Sequence, residues 1–279
     1  MGKSKLSAKS LLNEISYKKH LKNKKTVIIN DLKICKEDFR IENLDNLESE
    51  NSYKTKKDKE KIKGKNQIKK DFGFENLKKL LDNTASCQIS DALNKITKRS
   101  GVLNGIKSIN GKTAYGRVIT VESSSDDWGT SLLGIDAAKK GNIIFIKTNG
   151  TSSAVWGELT SSCSEKKGIN GTVIWGAVRD INFVSEYKYP VFARETIPNA
   201  GNALGLGKIN IPIKISENPE IIIKNGDFIF GDKSGVVHVP QELFSEVMIK
   251  TLEIKINETN IISEIEKGKP LSQIVGLKK

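Results

Sequence analysis

The stretch GTVIWGAVRDI, Gly171–Ile181, decides how the rest of the chain is read. Thr172 to Trp175 are β-branched or aromatic and uncharged, the pattern of a strand buried on both faces. The small, turn-like Gly176-Ala177 follows, and then Arg179 and Asp180 stand side by side. Two opposite charges fixed at a strand end cost free energy unless they have a role. They are either a salt bridge that closes a loop or half of an active site.

Working outward, similar apolar runs alternate with helical patterns. Strands are expected at 116–122, 142–147, 171–176 and 190–197, with helices at 131–140, 152–168 and 180–188. Short joints containing Gly between these elements point to parallel strands linked by crossover helices, an α/β class. Upstream, FENLKKLLDNTASCQISDALNKI reads as two helices with a break near Asp82–Ser86. Beyond Pro198 the pattern turns all-β through 207–215, 220–232 and 234–240, and a helix is expected from Gln241 to about Lys267.

The net charge is +13, but it is unevenly placed: residues 1–70 carry 20 Lys/Arg against 10 Asp/Glu, and the remaining 209 residues 26 against 23. Within the first 48 residues, Leu11, Leu12 and Ile15 fall at helical spacing, and TVIIN, from Thr26, could be a short strand. The run from Glu48 to Lys70 has too little apolar surface to offset the entropy of ordering it, so it reads as a linker. The expected division is a basic, partly disordered extension over 1–73 and an α/β domain over 74–279 that includes a C-terminal helix. A Lys-rich tail of this kind is a solvated segment or, alternatively, a weak polyanion-binding arm over residues 1–70. It carries few aromatics on which bases could stack.

No run approaches the roughly 20 apolar residues of a membrane span, and the N-terminus lacks the apolar core of a signal peptide. MGKSKL begins like a myristoylation site but has Leu6 where Ser or Thr is needed. Cys35, Cys87 and Cys163 are scattered and odd in number, which suits a reducing, cytoplasmic setting rather than a disulfide frame. With His20 and His238 alone, a multi-histidine metal site is not expected.

Open α/β sheets bind ligands at the carboxyl ends of their strands. After the strand at 142–147 comes TNGTSSAVWGEL, where Thr151, Ser152 or Ser153 could cap the next helix. The start of that helix would suit a carboxylate or phosphate. Glu158 lies further along it, and Arg179-Asp180 one strand later. Acidic oxygens suit Mg²⁺ with several waters retained, and Arg would grip a carboxylate or stabilise an oxyanion.

ISDAL (89–93), GRVITV (116–121), AVWGEL (154–159), GAVRD (176–180), PVFAR (190–194) and GDFIFGDKSGVVHVP (226–240) together resemble the RraA-like family over roughly residues 76–250. That family contains regulators of ribonuclease activity and metal-dependent 4-hydroxy-4-methyl-2-oxoglutarate aldolases. The resemblance implies a swivelling β/β/α-type domain and a homotrimer or hexamer with sites at subunit boundaries. The aldolase branch carries an acid, twenty residues, then Arg-Asp; here Glu158 takes the position commonly held by Asp, followed by Arg179-Asp180. By that resemblance Asp180 would ligate Mg²⁺ or Mn²⁺, Glu158 would hold a metal-bound water, and Arg179 would contact the keto or enolate oxygen. The backbone of Thr151, Ser152, Ser153, Ala154, Val155 and Trp156 would bind the carboxylate of a small 2-oxo acid. The implied activity is retro-aldol cleavage or oxaloacetate decarboxylation to pyruvate. The alternative is a non-catalytic regulator that binds an RNA-processing enzyme.

Other residues have plainer readings. Ser90-Asp91 reads as a helix N-cap region, Asp232 as a turn former and His238 as an exposed or satisfied strand residue. Trp128, Trp156 and Trp175 read as packing residues, and NALGLG (202–207) as a loop beside the site.

Overall fold

The computed structural model describes residues 74–215 and 220–277, preceded by four short strands: β1 (Thr26–Ile29), β2 (Leu32–Cys35), β3 (Arg40–Ile41) and β4 (Lys70–Asp71). The strand expected at Thr26 is β1, which pairs antiparallel with β2. The helical pattern at Leu11–Ile15, and the charge-rich run from Glu48 apart from Lys70, lie outside the described residues.

The chain divides into two compact units, one of residues 84–254 and one of residues 1–83 with 255–279. The smaller unit holds β1 to β4, α1 (Phe74–Asp82), the last turns of α6 (Phe244–Glu266) and α7 (Leu271–Ile274), and in it Lys255 donates to the Asn83 carbonyl.

The larger unit opens with α2 (Ser86–Thr97), so the expected break between two helices is observed. Ser90-Asp91 lies inside α2 rather than at its start. The carboxylate that serves the helix start is Asp232, which accepts from the Ser86 N–H and hydroxyl, both at 2.8 Å. A side chain distant in sequence has taken the capping role.

Then follow β5 (Lys107–Ser108), β6 (Ala114–Ser123), α3 (Gly129–Ala137), β7 (Ile143–Thr148), β8 (Ala154–Trp156), α4 (Glu158–Lys167), β9 (Gly171–Val178), α5 (Ile181–Val184) and β10 (Val191–Thr196). The strands β11 (Lys208–Ile209), β12 (Ile213–Ile215), β13 (Ile221–Ile223), β14 (Phe228–Asp232) and β15 (Gly235–Val239) come before α6. The main sheet runs β15-β14-β6-β7-β9-β10-β5, with β11 on β6 and β8 on β9. The β6, β7, β9 and β10 neighbours are parallel, as the alternating pattern predicted; β14, β15, β5 and β11 join antiparallel.

The Leu103 N–H donates to the Val236 carbonyl at 2.9 Å, drawing the β5 end towards β15 and nearly closing the sheet into a barrel. Strand alternation then sorts the core. Ile143, Phe145, Val173 and Phe192 join Ile229 and Val236 in one cluster, while Ile144, Ile146 and Ile174 pack in the other with Ile135, Val155 and Val184. Each such side chain taken fully from water contributes roughly 1.5–3 kcal/mol, so both faces of the central strands are committed.

Two expected helices are shorter than predicted. The 152–168 pattern divides: Ala154–Trp156 is strand β8, paired with Ala177 and Val178 at the end of β9, and the helix begins at Glu158. Thr151–Ser153 therefore cap no helix. The 180–188 pattern forms a single turn, α5. In both places pairing and turn geometry at strand ends override the local pattern. The long C-terminal helix is present after a 3₁₀ turn at Gln241–Leu243. Among the described residues, no helix is long and apolar enough to cross a membrane.

Candidate active site

Strand β9 ends at Val178, and two backbone bonds fix its last residues. The Arg179 N–H donates to the Trp156 carbonyl and the Ile197 N–H to the Val178 carbonyl, both at 2.9 Å. The next residue, Asp180, adopts the left-handed conformation (φ 57°, ψ 41°), one that Asp tolerates better than most residues. Its carbonyl accepts from Phe183 and Val184, starting α5, so the turn throws the carboxylate back over β8.

There Asp180 Oδ2 accepts from the Glu158 N–H at 3.0 Å, at the positive end of α4, and lies 3.4 Å from Arg179 Nε. Asp180 Oδ1 makes no hydrogen bond among the described residues. The intervening Gly157 permits this approach: a Cβ there would collide with Asp180 Oδ2.

Arg179 and Asp180 line two adjoining depressions. One, a cavity of about 210 Å³, is walled by Trp128, Ala154–Gly157, Leu159, Thr160 and Ala200-Gly201. The other, about 470 Å³, brings in Glu158, Phe183 and Ile197. Glu158 and the Arg179-Asp180 pair, with twenty residues between them in sequence, are thus neighbours in space. Ala154, Val155 and Trp156 lie on the wall of the first cavity, whereas Thr151, Ser152 and Ser153 are not among its lining. Ser152 instead pairs its hydroxyl with Ser125 at 2.8 Å, and Ser153 accepts from Asn199 at 3.1 Å.

Among the described residues no three His, Cys, Asp or Glu side chains converge as a metal cluster. The donor set at Asp180 is one carboxylate with a free oxygen, beside a second acid. That fits Mg²⁺ or Mn²⁺, hard cations for which one or two carboxylates, water and substrate oxygens complete the shell.

Sequence reasoning missed Asp127. It is 2% exposed, yet it accepts from the Thr130 N–H and hydroxyl and from the N–H groups of Leu204, Gly205 and Leu206. Burial opposes its charge, but these donors outweigh that and hold its pKa below the ordinary carboxylate value. Through Asp127 the NALGLG loop is pinned beside the cavity, with the Asn202 N–H also donating to the Asp126 carbonyl at 2.7 Å. The local signal was Asp three residues before Thr at a helix start; the distant amides left none.

His238 is a satisfied strand residue. It is buried, with Nε2 2.8 Å from Asp227 Oδ2, and takes no part in this site. Trp156 packs in the core and donates to Ser161 Oγ at 2.9 Å, Trp175 lies under the Arg194 guanidinium, and Trp128 adds a wall to the cavity.

A nearly closed α/β barrel with an Arg-Asp pair at a strand end, facing the start of the preceding helix, defines a class. The RraA-like family, described as Aldolase/RraA, matches residues 86–238, and the chain belongs to it. An uncharacterized protein of Methanocaldococcus jannaschii is 38% identical over 179 residues, covering 63% of this chain and 85% of its own. A Halalkalibacterium halodurans protein named "Putative 4-hydroxy-4-methyl-2-oxoglutarate aldolase" is 33% identical over 163 residues, 58% of this chain and 75% of its own. A crystal structure of an uncharacterized protein from Pseudomonas syringae superposes with a TM-score of 0.62 at 29% identity, covering 71% of this chain and 96% of that one.

Proposed function

We propose that the chain is a divalent-metal-dependent carbon–carbon lyase that forms pyruvate from 2-oxo acids. The reaction is retro-aldol cleavage of 4-hydroxy-2-oxo acids, of the 4-hydroxy-4-methyl-2-oxoglutarate type, or decarboxylation of oxaloacetate. The observation that carries the reading is the meeting of Arg179, Asp180 and the start of α4 at one cavity.

In the proposed reaction the bond between C3 and C4 breaks, and its electron pair passes to the 2-oxo oxygen as an enolate. A divalent cation held by Asp180 would supply Lewis-acid stabilisation of that charge. Arg179, whose backbone is held by its bond to Trp156, would bring its guanidinium to the same oxygen. The wall from Ala154 to Trp156 positions the substrate carboxylate. Glu158 orders the water that carries the proton from the C4 hydroxyl. Protonation of C3 releases pyruvate. Self-association into a homotrimer or hexamer is part of the same proposal.

The test is pyruvate release by the full-length protein with Mg²⁺, from oxaloacetate, 4-hydroxy-4-methyl-2-oxoglutarate and 4-hydroxy-2-oxopentanoate. Arg179→Lys and Asp180→Asn should each lower kcat/KM by about 10²-fold or more while the circular dichroism spectrum is retained. Absence of turnover on all three substrates would sink the lyase reading and favour a protein-binding regulator.

A further inference from the structure

A separate cavity, of about 820 Å³, lies in the larger unit and shares no lining residue with the two depressions at Arg179. Its walls come from the last turns of α2 and the segment that follows, from the start of β13, and from the end of β15 with Pro240 and Leu243. Leu93, Val102, Ile221 and Leu243 make its sides apolar, and Lys98 and Arg99 bring two cations. The carboxylate of Glu220, also on the wall, is paired with Lys214 at 2.5 Å. Apolar walls with a few polar groups, at this volume, are the usual make-up of a small-molecule site.

Cations after a helix ordinarily answer its last carbonyls. Here the turn that carries them is also strained and fixed. Lys98 holds the left-handed C-cap of α2 (φ 63°, ψ 21°), a conformation that glycine adopts freely and lysine does not. Its N–H donates to the Asn94 carbonyl at 2.9 Å. The Thr97 hydroxyl donates to the Leu93 carbonyl at 2.9 Å and accepts from the Arg99 N–H at 3.1 Å. The chain thus gives up stability to keep a cation at the cavity where glycine would fit.

His238 supplies an independent feature. It borders the cavity at 3% exposure, with Nε2 2.8 Å from Asp227 Oδ2. The N–H groups of Lys224 and Gln241 also donate to Asp227, so Asp227 is the acceptor and Nε2 carries the proton. In the neutral ring Nδ1 is then an acceptor, and it has no hydrogen bond among the described residues. The fully enclosed side-chain atoms without a partner among those residues are Ser131 Oγ and Ser164 Oγ, so Nδ1 retains an opening.

We propose that this cavity is a second ligand site, for a small organic anion whose apolar body carries a hydrogen-bond donor. Lys98 and Arg99 receive the anionic head, the apolar sides cover the body, and His238 Nδ1 accepts from the donor. The proposal is independent of the lyase reading.

Isothermal titration calorimetry on the full-length protein tests it with three probes. They are 3-(4-hydroxyphenyl)propanoate, 3-phenylpropanoate, which lacks the donor, and 3-(4-hydroxyphenyl)propanamide, which lacks the charge. The first should bind one site per chain with a Kd of about 1 mM or below. The second should bind about fivefold and the third about tenfold more weakly. Lys98→Gly combined with Arg99→Ala should weaken the first probe about tenfold or more. Lys98→Gly alone should leave the melting temperature unchanged or raise it, because the strain goes with the side chain. Arg179→Lys should leave binding of the first probe unchanged. The proposal is overturned by equal affinity for the three probes, by loss of binding in Arg179→Lys, or by no saturable binding, the result expected if a second copy of the chain covers the cavity.

Discussion

At Gly157 a methyl group would occupy the space that Asp180 Oδ2 now fills. The residue's backbone is extended (φ −171°, ψ −151°), so any amino acid could adopt it. The requirement for glycine there is one of close approach alone. Gly157→Ala should therefore push the Asp180 carboxylate off the Glu158 N–H while leaving the strand and helix in place. The expected outcome is a loss of about tenfold or more in kcat/KM with a melting temperature within a few degrees of the parent, measured by kinetics and thermal denaturation together. A melting temperature that collapsed with activity would show that the glycine serves packing instead. The Arg179-Asp180 pair was legible in the sequence as an unusual charge doublet at a strand end. Its geometry was not, because the left-handed turn at Asp180 and the gap at Gly157 are settled by each other across the β8–β9 pairing.

The loop from Asn202 to Gly207 is ordered by hydrogen bonds, three of them to one carboxylate, rather than by a core of its own. Leu204 and Leu206 are exposed, yet their backbone N–H groups, with that of Gly205, end on Asp127. Asp127→Asn should cost roughly 2–4 kcal/mol at neutral pH, because hydrogen bonds to a buried charge are lost and several amides lose an acceptor. The cost should depend on pH in a definite direction. The pKa of Asp127 lies lower in the folded chain than its unfolded value of about 3.9, so its contribution is complete above that pH and declines as pH falls towards the folded value. Denaturant titrations at pH 7 and in acid should thus show the gap between parent and Asp127→Asn closing in acid. A constant gap would contradict the account. The two helices misjudged in length belong to this scale as well. Ala154–Trp156 carries residues that suit either state, and the choice of strand comes from a partner, β9, that no local window contains.

Across the whole larger unit, alternation was the readable part: apolar runs separated by helical spacing forecast parallel strands with crossovers, and those strands are present. Closure was not readable, since it depends on a few contacts between segments far apart in the chain. One is the approach of β14 to β10, where a Cβ on Gly231 would lie 2.7 Å from the Phe192 ring, so that ring fills the barrel interior up to bare backbone. Phe192→Ala should cost about 3–5 kcal/mol and lower the melting temperature by roughly 10 °C or more. A loss under 1 kcal/mol would mean that the interior is not packed around it.

The bond from Leu103 to Val236 also bears on how the molecule is made. The segment that contributes Leu103 leaves the ribosome long before β15, so throughout synthesis it has no partner on that side. The parallel strands that carry Arg179 and Asp180 can assemble while the chain is still growing, but the seam cannot shut until the last strand arrives. Until then an unpaired edge is open to neighbouring nascent chains. The seam is therefore where slow translation or a weak β15 would turn folding into aggregation, even with every residue of the site intact.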